Sequence, residues 1–332
     1  MQKVRWGLLS TANINRRLIP AIRASARGGL TAVASRSQSS ADAYAKAWHI
    51  PQAFGSYQAM LNSDAIDAVY IGLPNHLHAE WSMAAMRAGK HVLCEKPFAL
   101  TLAEVDAVTA VSRETGMVIA EAFMYRHHPQ TKKLGELVRN GRVGRVTLMR
   151  GVFNFAFGTR DNIRLVPEWG GGCLWDVGVY PLSLAQFVMG GPPVRVSGAQ
   201  WLGPSGVDEV FSGQMIYEHG AIAQISSAFC TPWYTAAEII GTEGRLTLNR
   251  PFVAMDDNRQ LLFHPANGEP EAIDVTEKEL YLGEVEDMHA AILDGASPYL
   301  SLAETRHHVQ TVLALYEAAR NGRVVSYDDI SA

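Results

Sequence analysis

In the first 125 residues, short β-type runs alternate with helical periods, and this alternation limits the possible folds more than any other feature. Residues 4–9, 30–34, 66–71, 91–94 and 117–120 read as strands. One intervening helix ends near Ala26-Arg27-Gly28-Gly29. Another opens at Ser39-Ser40-Ala41-Asp42, with Asp42 supporting a cap at Ser39, and a third ends with Gly89 just past its last turn. Strands separated by helices imply βαβ units and a parallel sheet. After about Arg126 the pattern changes. A helix over 129–140 precedes β-type stretches at 145–157, 194–201, 209–217, 221–229, 235–241, 244–248 and 260–264. Turn signals such as Glu218-His219-Gly220 and Thr242-Glu243-Gly244 separate several of them. Consecutive strands without helices between them imply an antiparallel or mixed sheet. Helices return at 283–293 and 302–319. The chain thus reads as α/β, with one domain over 1–125 and a second over 126–332.

Composition fits an ordinary globular protein: 48% of the 332 residues are hydrophobic and 19% charged. The formal charge of −4 gives no bulk attraction to nucleic acid or an anionic membrane. No apolar run reaches the length of a membrane span. The first five residues lead straight into a strand, which leaves no room for a signal h-region. Cys94, Cys173 and Cys230 lie far apart without ligand spacing, and read as reduced thiols of a cytoplasmic protein.

The segment His91-Val92-Leu93-Cys94-Glu95-Lys96-Pro97 bears most directly on function. Its apolar run ends in an acid, a base and a proline, at the carboxyl edge of a short parallel strand. That edge is where open α/β sheets bind ligands. Pro97 restricts Lys96 to extended geometry. Lys96 is therefore a candidate charge for chemistry; a surface Glu-Lys pair before a loop is the alternative.

The turn after the first strand, Ser10-Thr11-Ala12-Asn13-Ile14-Asn15, stands where a dinucleotide loop would be. Ser10, Ala12 and Asn15 occupy the three glycine places of G-x-G-x-x-G. Small residues still admit a pyrophosphate, and a helix N-terminus still offers N–H groups; from the pattern alone a plain strand-to-helix turn is the better reading. The second strand ends in Ser35-Arg36-Ser37, where a carboxylate would hold the ribose of NAD. Arg36 suits a 2′-phosphate, so a bound dinucleotide would be NADP. After the third strand, Leu73-Pro74-Asn75-His76-Leu77-His78 carries two histidines without metal-ligand partners. Asn75 and His78 read as loop groups that cap a helix or meet a ligand. No metal site is expected anywhere in the chain.

In the second half, Trp169-Gly170-Gly171-Gly172-Cys173-Leu174-Trp175-Asp176-Val177-Gly178-Val179-Tyr180-Pro181 stands out. Three glycines imply a close backbone approach. Asp176 and Tyr180 are four apart, so a helical turn puts them on one face. Pro181 must lie near a helix start or at a kink, leaving Tyr180 on irregular backbone. A core helix after a flexible loop is the alternative.

Together these motifs resemble the Gfo/Idh/MocA family of oxidoreductases. The matching pieces are Gly7 with its loop, Ser35-Arg36, Pro74-Asn75 with His78, Glu95-Lys96-Pro97, and the segment from Gly170 to Tyr180. Tyr180, Glu121-Ala122-Phe123-Met124-Tyr125-Arg126 and Asp161-Asn162-Ile163-Arg164 look like the branch of glucose–fructose oxidoreductases, NADP-dependent D-xylose dehydrogenases and dimeric dihydrodiol dehydrogenases. The resemblance implies a doubly wound Rossmann domain followed by an α/β domain on a large open, mainly antiparallel sheet. It implies NADP contacts from Ser10, Thr11, Ala12, Asn13, Ile14, Ser35, Arg36, Leu73, Pro74, Asn75, His78, Glu95, Lys96, Arg126, Ile163, Arg164 and Tyr281. It implies a sugar substrate, and homodimers or homotetramers through the C-terminal sheet.

The implied chemistry oxidises a sugar carbon, with hydride passing to the nicotinamide and a proton leaving oxygen. Tyr180 would take that proton. A free tyrosine has a pKa of about 10, and the Lys96 cation would favour the phenolate. Asp176 would orient the sugar or Lys96. Both motifs serve one reaction, so the sugar is expected between the two domains. Three readings stand: an aldose dehydrogenase or aldose–aldose oxidoreductase acting at C1; a keto-sugar reductase or dihydrodiol dehydrogenase; and a non-catalytic NADP-binding sensor of the same fold, against which retention of Lys96 and Tyr180 argues.

Overall fold

The structure, a computed structural model, describes residues 3–253, 260–276 and 278–331. The chain forms two compact units, Met1–His127 with Lys278–Thr305, and His128–Glu277 with Arg306–Ala332.

The first unit runs β1 (Val4–Leu9), α1 (Asn15–Ala24), β2 (Gly28–Ala34), α2 (Gln38–Trp48), β3 (Gln52–Phe54), α3 (Tyr57–Leu61), β4 (Ala68–Ile71), α4 (His78–Arg87), β5 (His91–Glu95), α5 (Leu102–Thr115), β6 (Ile119–Ala122) and the short α6 (Met124–His127). Its six strands are ordered β3-β2-β1-β4-β5-β6, and every pairing is parallel. Central strands of such a sheet are covered on both faces, so they are apolar without alternation. β4 accordingly reads Ala-Val-Tyr-Ile and is buried throughout. The order of strands reverses direction between β1 and β4, and ligands bind beyond the carboxyl ends at such a point. The loops after β1, β2, β4 and β5 all emerge at that edge. Thr101 and Glu104 close a capping box at the start of α5 and fix the far end of the loop containing Lys96.

The second unit continues with α7 (Pro129–Arg139), β7 (Val146–Ala156), α8 (Val179–Met189), β8 (Arg195–Leu202), β9 (Asp208–Ile216), β10 (Ile222–Ala228), β11 (Cys230–Gly241), β12 (Gly244–Asn249), β13 (Gln260–Pro265) and β14 (Glu271–Ala272). α9 (Leu282–Asp294) belongs to the first unit. α10 (Leu302–Asn321), from Arg306 onward, and β15 (Val325–Ser326) belong to the second. The nine-stranded sheet is ordered β14-β13-β12-β11-β7-β10-β9-β8-β15. It is mixed: β10 pairs with β7 in parallel, and the other pairings are antiparallel. α8 and α10 cover one face, with Pro181 set against Gly151 and Leu315 against Gly213. The other face carries small and polar side chains, among them Ser197, Ser212, Gln214, Gln224 and Ser226.

Two expectations are corrected. The helix cap after β2 is Ser37, not Ser39. Ser37 has the extended backbone of an N-cap and accepts the Ser40 N–H at 3.3 Å, while Asp42 accepts from Gln38 instead. And a cut at 125/126 assigns 278–305 to the second domain, whereas that segment packs with the first unit. Trp6 Nε1 of β1 donates to His289 Nε2 of α9 at 2.9 Å, and Arg27 pairs with Asp294 at 2.7 Å.

Candidate active site

At the β1 edge, a serine and an asparagine carry out what glycines usually do. Ser10 has φ 149°, a backbone region that favours glycine. Its hydroxyl donates to the Gly72 carbonyl at 3.2 Å and accepts the Ala12 N–H at 3.2 Å. Asn15, at the third glycine place, is buried and donates from Nδ2 to the Ser10 carbonyl at 2.8 Å. The turn is therefore closed by side chains. Thr11, Ala12 and Ile14 are half-buried and Asn13 is exposed. The first turn of α1 has no acid and no side-chain cap, and carries Arg16 and Arg17. That is a setting for an anion such as a pyrophosphate.

At the β2 edge, Ser35 is buried and its N–H donates to the Phe54 carbonyl at 3.0 Å. Arg36 is exposed, and its charge reaches the Tyr57 phenol. No carboxylate stands at 35–37 to hold a ribose diol, and the Ser37-capped start of α2 adjoins the guanidinium. These groups fit a 2′-phosphorylated dinucleotide.

Lys96 follows β5 in a turn fastened from several elements. Its N–H donates to Glu95 Oε2 at 3.2 Å. The Lys96–Pro97 peptide bond is cis. His78, at the start of α4, is wholly buried. Its Nδ1 lies 2.8 Å from the Pro97 carbonyl and its Nε2 lies 2.8 Å from the Leu73 carbonyl. The ring so ties the loop after β4 to the loop after β5. A cation would satisfy both carbonyls, but burial pushes the imidazole below its ordinary value and the Lys96 charge adds to this. The neutral ring then donates through one nitrogen. This makes His78 a brace for Leu73 and Lys96; with no exposed surface it meets a ligand only through them. Next along the turn, the Phe98 N–H donates to Glu121 Oε1 at 3.1 Å, from buried β6. Pro74 and Asn75 begin a short 3-10 turn before α4 and remain half-buried.

Glu95 also accepts a hydrogen bond from the buried Tyr70 hydroxyl of β4. Tyr281 caps α9 within this same unit, and its phenol is pushed up by burial and by the Glu95 charge. A residue from late in the chain thus sits by the Lys96 loop. Arg126 is buried, and its Nη1 pairs with Glu304 at 2.7 Å within the first unit.

In the second unit, Leu174–Gly178 forms a π-helical turn that runs into α8. Such turns gather at functional sites. Tyr180 is the second residue of α8 and Pro181 the third, so Tyr180 lies on regular helix with the irregular turn just before it. Its ring packs against the mutually stacked Phe153 and Phe252, with centroids 5.4 and 5.8 Å away. Asp176 is one helical turn earlier and takes a 2.7 Å bond from Arg164 Nε. Ile163 and Arg164 stand in an exposed 3-10 turn, Ile163 being 47% exposed. The glycines serve this packing. The Gly172 N–H donates to the Arg164 carbonyl and the Gly171 N–H to the Val166 carbonyl, both at 3.0 Å. A Cβ on Gly171 would lie 2.6 Å from the Arg164 oxygen. The close approach is between two stretches of this chain.

Glu121 enters the sequence reading only as the first residue of the Glu121–Arg126 motif, and Asp208 and Glu284 do not enter it, yet all three are buried acids in these two sites. Glu121 had a readable signal, an acid inside an otherwise apolar strand; the others had none. Among the described residues no group of three or more His, Cys, Asp or Glu could hold a metal ion, and no helix is long and apolar enough to cross a membrane.

Residues 4–123 match the oxidoreductase family with an NAD-binding Rossmann fold, and residues 131–247 match the GFO/IDH/MocA C-terminal domain. The chain is 37% identical to D-xylose 1-dehydrogenase (NADP(+)) 2 of Haloferax volcanii, over 97% of this chain and 99% of that protein. It is 30% identical to dTDP-3,4-didehydro-2,6-dideoxy-alpha-D-glucose 3-reductase of Streptomyces antibioticus, over 93% of each. Among solved structures it is similar to the 3-ketoreductase KijD10 of Actinomadura kijaniata in complex with NADP and TDP-benzene. The TM-score there is 0.89 at 28% identity, covering 96% of this chain and 98% of that one. With its parallel six-stranded sheet, its lysine turn after β5 and both domain matches, the chain belongs to the Gfo/Idh/MocA family of oxidoreductases.

Proposed function

We propose that this protein is an NADP-dependent oxidoreductase that oxidises the C1 hydroxyl of an aldose to the lactone. The observation that carries the reading is the Lys96 turn, held by Glu95, His78 and Glu121 at the carboxyl edge of the Rossmann sheet. Similarity across nearly the whole chain to an NADP-dependent xylose dehydrogenase supports it. NADP, when bound, would supply the hydride acceptor for C1. It would be held by the loop from Ser10 to Ile14, by Ser35 and Arg36 at its 2′-phosphate, and by Leu73, Pro74, Asn75, Glu95 and Tyr281; Ile163 and Arg164 are proposed to reach it from the second unit. Tyr180 takes the hydroxyl proton as the carbonyl forms. Lys96 holds that oxygen and favours the phenolate. Asp176, oriented by Arg164, accepts a second sugar hydroxyl. The second unit, His128–Glu277 with Arg306–Ala332, would carry the sugar-binding groups and an oligomer contact on its open sheet face, in a cytoplasmic enzyme.

The likeness to a 3-reductase and to a 3-ketoreductase favours a second reading, reduction of a keto-sugar at C3. Steady-state turnover with NADP and NAD over D-xylose, D-glucose, D-galactose and L-arabinose, with lactone as product, tests the first reading. Turnover with NADP on at least one aldose is expected. Activity only with NADPH and a keto-sugar would replace it with the second, and tighter NAD than NADP binding would overturn the role of Arg36.

A further inference from the structure

The turn that carries Asp176 has no side-chain cap of its own, since its N-cap residue is Cys173. A helix start leaves N–H groups without partners, and a carboxylate is the strongest acceptor for them. The carboxylate here comes from another element. Asp208, the first residue of β9, is 3% exposed. Its Oδ2 accepts the Leu174 N–H at 2.8 Å and the Cys173 thiol at 3.1 Å. Its Oδ1 accepts the Tyr316 hydroxyl of α10 at 2.7 Å. The Trp175 N–H in turn faces the Tyr316 oxygen. Two successive amides of the turn are therefore held by one carboxylate and the phenol that anchors it. Burial pushes this carboxyl above its ordinary value, and the amides of Leu174 and of Asp208 itself, a hydroxyl and a thiol act against that. A Cβ on Gly172 would lie 2.0 Å from Asp208 Oδ1, so the third glycine of the motif makes room for this carboxylate.

We propose that Asp208, anchored by Tyr316, is a positioning residue that fixes the Leu174–Gly178 turn and so aims Asp176 and Tyr180. The proposal rests on the acid–base reading of Tyr180. Tyr316→Phe removes the hydroxyl's bond to the carboxylate and the acceptor of the Trp175 N–H, and keeps every charge. Asp208→Asn places an amide where two donors converge. The test measures D-xylose oxidation with NADP, NADP affinity, and amide hydrogen exchange over residues 173–178, in wild type and both variants. In Tyr316→Phe, kcat should fall about 10-fold, the scale of one lost bond to a charged acceptor, and NADP affinity should hold. Exchange over 173–178 should quicken. The limb of the pH–rate profile that rises toward alkaline pH should move upward, because a misaimed Tyr180 loses its cation. Removing the Asp208 charge by field alone would move that limb the other way, so the two effects separate. Wild-type exchange rates in both variants overturn the proposal. Faster exchange with unchanged kcat and an unmoved limb also overturns it, leaving a structural brace only. A wild type that oxidises no aldose would defeat the reading of Tyr180 itself, a different result from active variants.

Discussion

Tyr180 is held in a three-ring cluster with Phe153 and Phe252, so its hydroxyl can be removed with little effect on the fold. Tyr180→Phe keeps the contacts with Phe153 and Phe252 and deletes only the proton carrier. The rate should fall by about 10²–10⁴, the usual worth of a placed acid–base group, with NADP binding and melting temperature unchanged. Lys96→Ala should do similar damage, and the double variant little more, because groups acting as one unit do not add. A Tyr180→Phe enzyme with wild-type kcat would move the role elsewhere. Both residues were legible in the sequence as motif members. Their holders were not. The contacts of His78 with the Leu73 and Pro97 carbonyls and the ion pair of Arg126 with Glu304 leave no mark on the local pattern. A single chain shows residue types but not which acceptors lie within 3 Å of a ring nitrogen.

At the level of elements, strand and helix alternation carried the first domain because parallel central strands are apolar throughout. β3 escaped it; three part-exposed residues have no period. The glycine run was legible as a close approach, but its partners, the 164–166 backbone and Asp208, are distant in sequence. The loop junction at His78 shows how elements are tied. His78→Ala leaves unpaired the one of the Leu73 and Pro97 carbonyls to which the neutral ring donates. An unpaired buried acceptor costs about 1–3 kcal/mol, so the urea midpoint should drop clearly. KM for the aldose should rise as Lys96 loses its support. A variant with an unaltered midpoint would mean that the ring is dispensable to both loops.

At the scale of the whole molecule, the chain leaves its first unit near His127 and returns to it at Lys278. Periodicity showed a helix near 283–293 but not which sheet it packs on, since an apolar face fits either. The return brings Glu284 of α9 into the first unit, buried, with neither carboxylate oxygen hydrogen-bonded to a described residue. Burial and the charges of Glu95, Glu279 and Asp287 push this acid well above the usual carboxylate range. In the fold it is therefore neutral where the unfolded chain has it ionised. Above its ordinary value of 4.5 the folded state binds one proton more than the unfolded, so this group lowers stability as pH rises, by at most about 1.4 kcal/mol per unit. Glutamine has the same shape and no proton to lose. Glu284→Gln should match wild type near pH 4.5 and exceed it increasingly at higher pH, as read from urea unfolding at several pH values. His289 acts in the opposite sense. Burial and Arg27 push it down to about 4, so its contribution is lost as pH falls from 6.5 toward 4, on the acid side of the window where Glu284 matters most. Parallel pH dependence in Glu284→Gln and wild type would show that Glu284 is ionised in the fold, with a partner that its surroundings do not supply.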